Sequence, residues 1–189
     1  IGPKRVIWRY DPILFSQSMD VRYHLHGFEA IAKRLASHTQ TCVISFVDLY
    51  QKTRRNLRET TVREPSADEI TRLAAGLASI ASSYGIRIQS CAERIDLEPM
   101  GIRHGRCIDR MLIEELQGAR LNVARDRNQR PECGCVQSVD IGVYDTCSHG
   151  CLYCYANTDT KTVCRNRGLH DLSSPLLIGR MEEGDVVKE

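Results

Sequence analysis

The sequence predicts an α/β protein in which helices wrap a parallel sheet, and three observations carry that expectation. Short runs rich in β-branched residues alternate with longer amphipathic stretches, the order that strand-helix-strand units require. Ser66 and Glu69 form a Ser-x-x-Glu capping box that opens the best patterned of those stretches. The chain has 189 residues, 42% of them apolar, enough for one domain with a core. No apolar run approaches the roughly 18 residues that a membrane span needs. A formal net charge of +2 argues neither for nor against a nucleic-acid partner.

Val6, Ile7 and Trp8 mark the first strand, within residues 5–9, and Tyr10-Asp11-Pro12 ends it because the proline excludes helix at Asp11. In barrels of parallel strands the loops after strands carry the chemistry, so Arg9 and Asp11 are candidate site residues. The competing reading is an Arg-Asp pair that fixes a turn. Val21, Leu25, Phe28, Ala32 and Leu35 recur at intervals of three and four, a helix capped by Asp20. His24 and His26, in its first turns, receive no role. Residues 42–49 read as a second buried strand, with Cys42 a small core residue and Asp48 a weaker site candidate.

Residues 50–65 turn basic through Lys52, Arg54, Arg55, Arg58 and Arg63. A clamp for phosphate or carboxylate and a solvated face are both consistent with that run, and without interleaved aromatic residues the solvated face is preferred. Ile70, Leu73, Leu77 and Ile80 then share one helical face until Gly85 closes it. A third strand over 86–91 leaves Cys91, Ala92 and Glu93 at its exit. Residues 108–117 form a short helix stopped by Gly118, with Cys107 just ahead. After a polar, basic stretch from 119 to 131, Val139, Ile141 and Val143 read as a further buried strand.

That last strand feeds the feature the chain is organised around, Cys147, Cys151 and Cys154 in the spacing Cys-x3-Cys-x2-Cys. Thiolates so close together can converge on one metal centre, and thiolate is the ligand that iron-sulfur clusters and zinc select. A four-iron cubane needs four ligands, so three cysteines leave one iron open to a cofactor or substrate. Zinc held by the three thiolates plus His149 or Cys164 is the alternative, a closed structural site. Cys91, Cys107, Cys133 and Cys135 make a second set of four, for an auxiliary iron-sulfur cluster or zinc, or else free thiols in the core. Nine cysteines, an odd and clustered count without a secretory segment, favour metal ligation over disulfides and a reducing, cytoplasmic compartment. Cys164 reads as a spare thiol.

The triplet, with Tyr153 just before its last cysteine, resembles the cluster-binding motif of the radical S-adenosylmethionine (radical SAM) superfamily. With Asp140-Ile141-Gly142, the Ser148-His149-Gly150 spacer and Tyr155-Ala156-Asn157, the chain is similar to the domain of unknown function 1848 family, regarded as radical-SAM-like with its cysteines near the C-terminus. The likeness runs from Trp8-Arg9-Tyr10-Asp11-Pro12 onward, and the Arg-aromatic-Asp-Pro run is also similar to spore photoproduct lyase.

The resemblance implies a partial (β/α) barrel of TIM-barrel kind, circularly permuted because the cysteine loop follows the last strand instead of the first. It further implies a chain that lacks the barrel's N-terminal strands, an expectation that Ile1 in place of methionine supports. Residues 1–157 would form the barrel part, with the cluster-binding loop at 144–157, and residues 158–189 a C-terminal extension. Cys147, Cys151 and Cys154 would hold a 4Fe-4S cluster whose fourth iron chelates S-adenosylmethionine, reductively cleaved to a 5'-deoxyadenosyl radical that acts on an unknown substrate. Tyr153, Arg9 and Asn157 would bind the cofactor, and a ferredoxin or flavodoxin would supply the electron. No Gly-Gly-Glu run, the superfamily's usual partner of the methionine amino group, is present. The remaining alternatives are a non-catalytic zinc or iron-sulfur module and a nucleic-acid repair or modification enzyme.

Overall fold

The structure, a computed structural model, describes residues 1–186. Residues 187–189, the last of the expected C-terminal extension, lie outside the described residues. Four strands, β1 (Ile7–Ile13), β2 (Thr41–Phe46), β3 (Arg87–Ser90) and β4 (Arg103–His104), form one parallel sheet in the order β1-β2-β3-β4. The helices are α1 (Val21–Leu35), α2 (Gln51–Leu57), α3 (Ala67–Ser83), α4 (Arg110–Gln117) and α5 (Thr160–Gly168). Among the described residues, no helix is long and apolar enough to cross a membrane. The chain divides into two compact units, Ile1–Asp48 with Thr60–Ser138, and Leu49–Glu59 with Val139–Glu189.

In the first unit the sheet register decides which side chains meet the helices. Trp8 pairs with Cys42 and Ile44 with Ser90, and period-2 alternation puts Trp8, Cys42, Ile44 and Ile88 in one core with α1 and α3. Phe28 of α1 stacks on Trp8 at 4.5 Å between ring centroids, and Leu73 and Leu77 of α3 are wholly buried. The two helices approach closely at Gly76, where a Cβ would stand 2.5 Å from the Leu25 side chain. Arg9, Val43 and Gln89 are register partners on the opposite face of the sheet.

The expected caps form. Asp20 accepts the amide of Tyr23 at the start of α1, and Ser66 and Glu69 exchange both bonds of the capping box at the start of α3. β1 runs past its expected end at Pro12, because an edge strand needs no amide there and the register shifts between Tyr10 and Ile13. His24, given no role from the sequence, is buried in the core. Its ring nitrogens meet the Tyr10 hydroxyl at 3.1 Å and the Leu14 carbonyl at 2.8 Å, and burial lowers its pKa.

Three stretches depart from the sequence expectations. Residues 139–143 do not form the anticipated buried strand. Val139 and Ile141 are 89% and 85% exposed, and Asp140 turns its carboxylate back to accept the amide of Gly142. That local bond competes with pairing, so the period-2 pattern ends as an exposed turn. The basic stretch after residue 50 contains α2, and the polar run after Asn157 contains α5, capped by Asp159 accepting the amide of Thr162. Both helices are too short and too charged to show an apolar stripe.

Candidate metal centre

The sheet unit gathers the set of four cysteines at the carboxyl ends of its strands, where parallel sheets present their loops. Cys91 follows β3, Cys107 follows β4, and Cys133 and Cys135 arrive on the polar loop after α4. Cys133 and Cys135 are buried with Ala92, and Cys91 and Ile108 pack beside them. The Cys91 and Cys107 sulfurs lie 3.1 Å apart. Cys135 Sγ accepts the amides of Cys107 and Ile108 at 3.1 and 3.3 Å, and Arg9 Nη1 donates to Cys107 Sγ at 2.9 Å. Arg9 is aimed by Asp11, which accepts from its Nε and also from the Ser45 hydroxyl.

These contacts set the proton affinities of the thiols. The hydrogen bond from Cys107 first, against opposing burial, and then the Arg9 guanidinium bring Cys91 down to about 6. Cys107, which donates that bond, is pushed up, with burial adding to the effect. Burial raises Cys133 as well, and Cys135 and Cys107 contribute. Two other sequence candidates have structural partners. Asp48 pairs with Arg130, and Glu93 accepts the amide of Phe46 at 2.8 Å.

The cysteine triplet belongs to the second unit. Its loop closes on Asp145, whose backbone sits in the left-handed region at φ 58°. The Asp145 amide donates to the Ala156 carbonyl at 3.0 Å, and its carboxylate accepts both the amide and the hydroxyl of Thr158. A short aspartate tolerates that backbone by bonding locally. Gly150, at φ 67°, supplies a second left-handed turn inside the Cys-x3-Cys segment. Asn157 Nδ2 reaches back to the Cys147 carbonyl at 2.6 Å and ties the loop across its middle. Asn56 of α2 donates to the Leu152 carbonyl at 3.1 Å.

Cys147, Cys151 and Cys154 all line one open cavity of about 480 Å³ in this unit. Asn157 lines it too, and its Oδ1 is buried with no hydrogen-bond partner. Further members come from two helices: Cys164, which the zinc alternative named beside the triplet, and Arg167 from α5, and Lys52 and Asn56 from α2. Arg167 and Asn56 carried no signal in the sequence. Tyr153, expected to bind the cofactor, is 37% exposed on the loop and does not line the cavity. Arg9 belongs to the sheet unit and engages Asp11 and Cys107.

Among the described residues, no three His, Cys, Asp or Glu side chains close on a point that could hold an ion. The donor sets nevertheless suit a thiophilic metal. Three thiols of the loop face one space, which also holds the cations Lys52 and Arg167 and an unsatisfied buried acceptor. That cavity can take a polar ligand with a hydrogen-bond donor and a negative charge. The profile of a family described as Domain of unknown function (DUF1848) matches residues 1–156. No curated protein and no solved structure gives a significant match.

Proposed function

The chain belongs to the domain of unknown function 1848 family, and from that premise we propose that it is an iron-sulfur protein that cleaves S-adenosylmethionine reductively, as radical SAM enzymes do. One observation carries the reading. The three cysteines of the Cys-x3-Cys-x2-Cys loop line a single open cavity together with Asn157, Lys52 and Arg167. Cys147, Cys151 and Cys154 are the residues that would hold a 4Fe-4S cluster. When bound, that group supplies the electron and the open iron that reductive cleavage of the sulfonium needs.

The protein's own part is to shape and charge the space. Asp145 and Gly150 hold the loop curved, so that three thiols spaced over a few residues face one way. Asn157 ties the loop that walls the space, and Lys52 and Arg167 suit a ligand's carboxylate. The sheet supports the same reading at the level of fold. Each strand lies beside its neighbour in sequence, the winding of a barrel segment, and we read it as part of a permuted partial (β/α) barrel.

The test is anaerobic reconstitution of the whole chain with iron and sulfide. The expected result is about four irons bound through the loop, reducible, with S-adenosylmethionine converted to 5'-deoxyadenosine and methionine, and loss of both in Cys151→Ala. Iron retained by Cys151→Ala, or a reducible cluster that never consumes S-adenosylmethionine, overturns it. A second reading has its own observation. Cys164 lines the cavity beside the triplet, which gives zinc the four thiolates of a closed structural site. Zinc that is lost on Cys164→Ser selects that reading.

A further inference from the structure

We infer that Cys91, Cys107, Cys133 and Cys135 form a metal site of their own in the sheet unit, a four-thiolate site for a single tetrahedral ion of the zinc type, with the Arg9 guanidinium as its outer cationic partner. This does not depend on the function proposed for the cysteine loop.

Three observations converge on it. The four cysteines come from three separate segments, after β3, after β4 and on the loop after α4; Cys91, Cys133 and Cys135 pack around Ala92, and Cys107 joins them through its sulfur beside Cys91 and its amide on Cys135 Sγ. The groups aimed at their sulfurs are those that complement negative charge. Two backbone amides point at Cys135 Sγ and a guanidinium at Cys107 Sγ. Ala92 holds φ 50°, a left-handed backbone that alanine rarely adopts, directly after Cys91. Such a turn at the end of β3 is explained if it serves to point Cys91 at its partners.

Sulfur spacing selects the class of centre. Zinc-sulfur bonds of about 2.3 Å in a tetrahedron place neighbouring sulfurs about 3.8 Å apart. A cubane binds each cysteine to a different iron and so keeps the ligand sulfurs well out of mutual contact. Cys91 and Cys107, with sulfurs 3.1 Å apart, are nearer to the first spacing than to the second. The four sulfurs do not yet close on one point, so uptake rearranges them, widening the Cys91–Cys107 pair toward the tetrahedral spacing, and releases the protons their thiols carry. A four-thiolate zinc site has a net charge of −2, which Arg9 offsets in part. Asp11 acts through Arg9, as a positioning residue.

The experiment uses the whole chain, purified anaerobically, with Co²⁺ as a spectroscopic probe and Zn²⁺ as competitor. The expected result is a tetrahedral thiolate-to-cobalt spectrum, displaced by zinc, that survives in Cys151→Ala and disappears in Cys107→Ser. Arg9→Gln should keep the spectrum but bind roughly ten-fold or more weakly, as loss of an outer-shell partner does. Thiol alkylation of the unmutated chain with and without zinc makes the result independent of whether Cys107→Ser folds. Zinc should protect Cys91, Cys107, Cys133 and Cys135. Protection of Cys147, Cys151 and Cys154 instead, a Cys91–Cys107 disulfide in the anaerobic protein, or bound iron and sulfide that are lost in Cys107→Ser overturns the inference. Absence of S-adenosylmethionine cleavage leaves this result untouched, so the two readings fail separately.

Discussion

Cys133 and Cys135 are 8% and 6% exposed and locked among backbone amides, whereas Cys147 and Cys151 stand exposed on a loop with an open cavity before them. The first set is assembled from segments 44 residues apart in sequence, Cys91 to Cys135, and exists only once the sheet has formed. The second set lies within one turn-rich loop that Asp145 and Asn157 close locally. Burial and pre-placed donors are what a permanent structural ion needs, because they fix ligand number and exclude competitors. Exposure and room are what a centre needs if a second molecule must reach it. On the two proposals made for them, the same ligand type would serve opposite ends in the two units, with Cys107 of the first set itself exposed beside Arg9.

That contrast is broken most directly by exchanging the losses. Cys151→Ala should abolish iron loading of the reconstituted chain and leave zinc content unchanged, while Cys91→Ser should do the reverse, as metal analysis of both variants will read out. A core change comes next. Leu77→Ala, at a wholly buried position of α3, should cost about 2–5 kcal/mol and release zinc on thermal unfolding well before wild type does. It should leave the thiols of the cysteine loop as reactive to alkylation as before.

Smaller effects test the loop. Asp145→Ala removes the carboxylate that Thr158 donates to and should cost on the order of 2 kcal/mol of loop order. Gly150→Ala forces a side chain into left-handed backbone for roughly 1–2 kcal/mol. Both should lower iron retention under chelator challenge without changing the zinc-dependent alkylation pattern. The smallest effect is at the α3 cap. Ser66→Ala should lower stability by about 1 kcal/mol in denaturant melts, with both metal contents intact. Arg63 first, then the Ser66 amide, hold Glu69 down at about 2, below its ordinary carboxylate value. Its contribution is therefore full above that ordinary value and fades as the pH falls toward 2. A Glu69→Gln variant should melt below wild type at pH 7, and the gap should narrow in acid.

How much of this the sequence displays follows from where each signal resides. The cap at Ser66, the apolar stripe of α3 and the first three strands are local patterns, and they form where expected, as does the parallel α/β arrangement they imply, except that β1 runs on to Ile13. β4 is two residues long, too short to leave a pattern. The stretch 139–143 misleads because alternation says only that a strand is affordable by composition. The Asp140 carboxylate satisfies the backbone locally, and no partner strand competes with it. The triplet of cysteines is legible because its members are neighbours in sequence. For the other four, the count is legible but the convergence is not, since Arg9, Cys107 and Cys135 meet only through tertiary structure. Cys164 reads either as a spare thiol or as a fourth zinc ligand for the same reason: its place depends on a polar helix with one buried residue, Val163.

The path of the backbone through the two units has a practical consequence. Residues Leu49–Glu59 belong with Val139–Glu189, so neither unit is a continuous stretch of gene. A truncation that starts at residue 139 in order to express the cysteine loop alone would discard α2, and with it Lys52 and the Asn56 bond to Leu152. Excision, limited cleavage or recombination at residue 138 would thus yield a loop stripped of one wall. Only designs that carry the 49–59 segment along, by linker or by complementation in trans, will report on the loop as it exists in the intact chain.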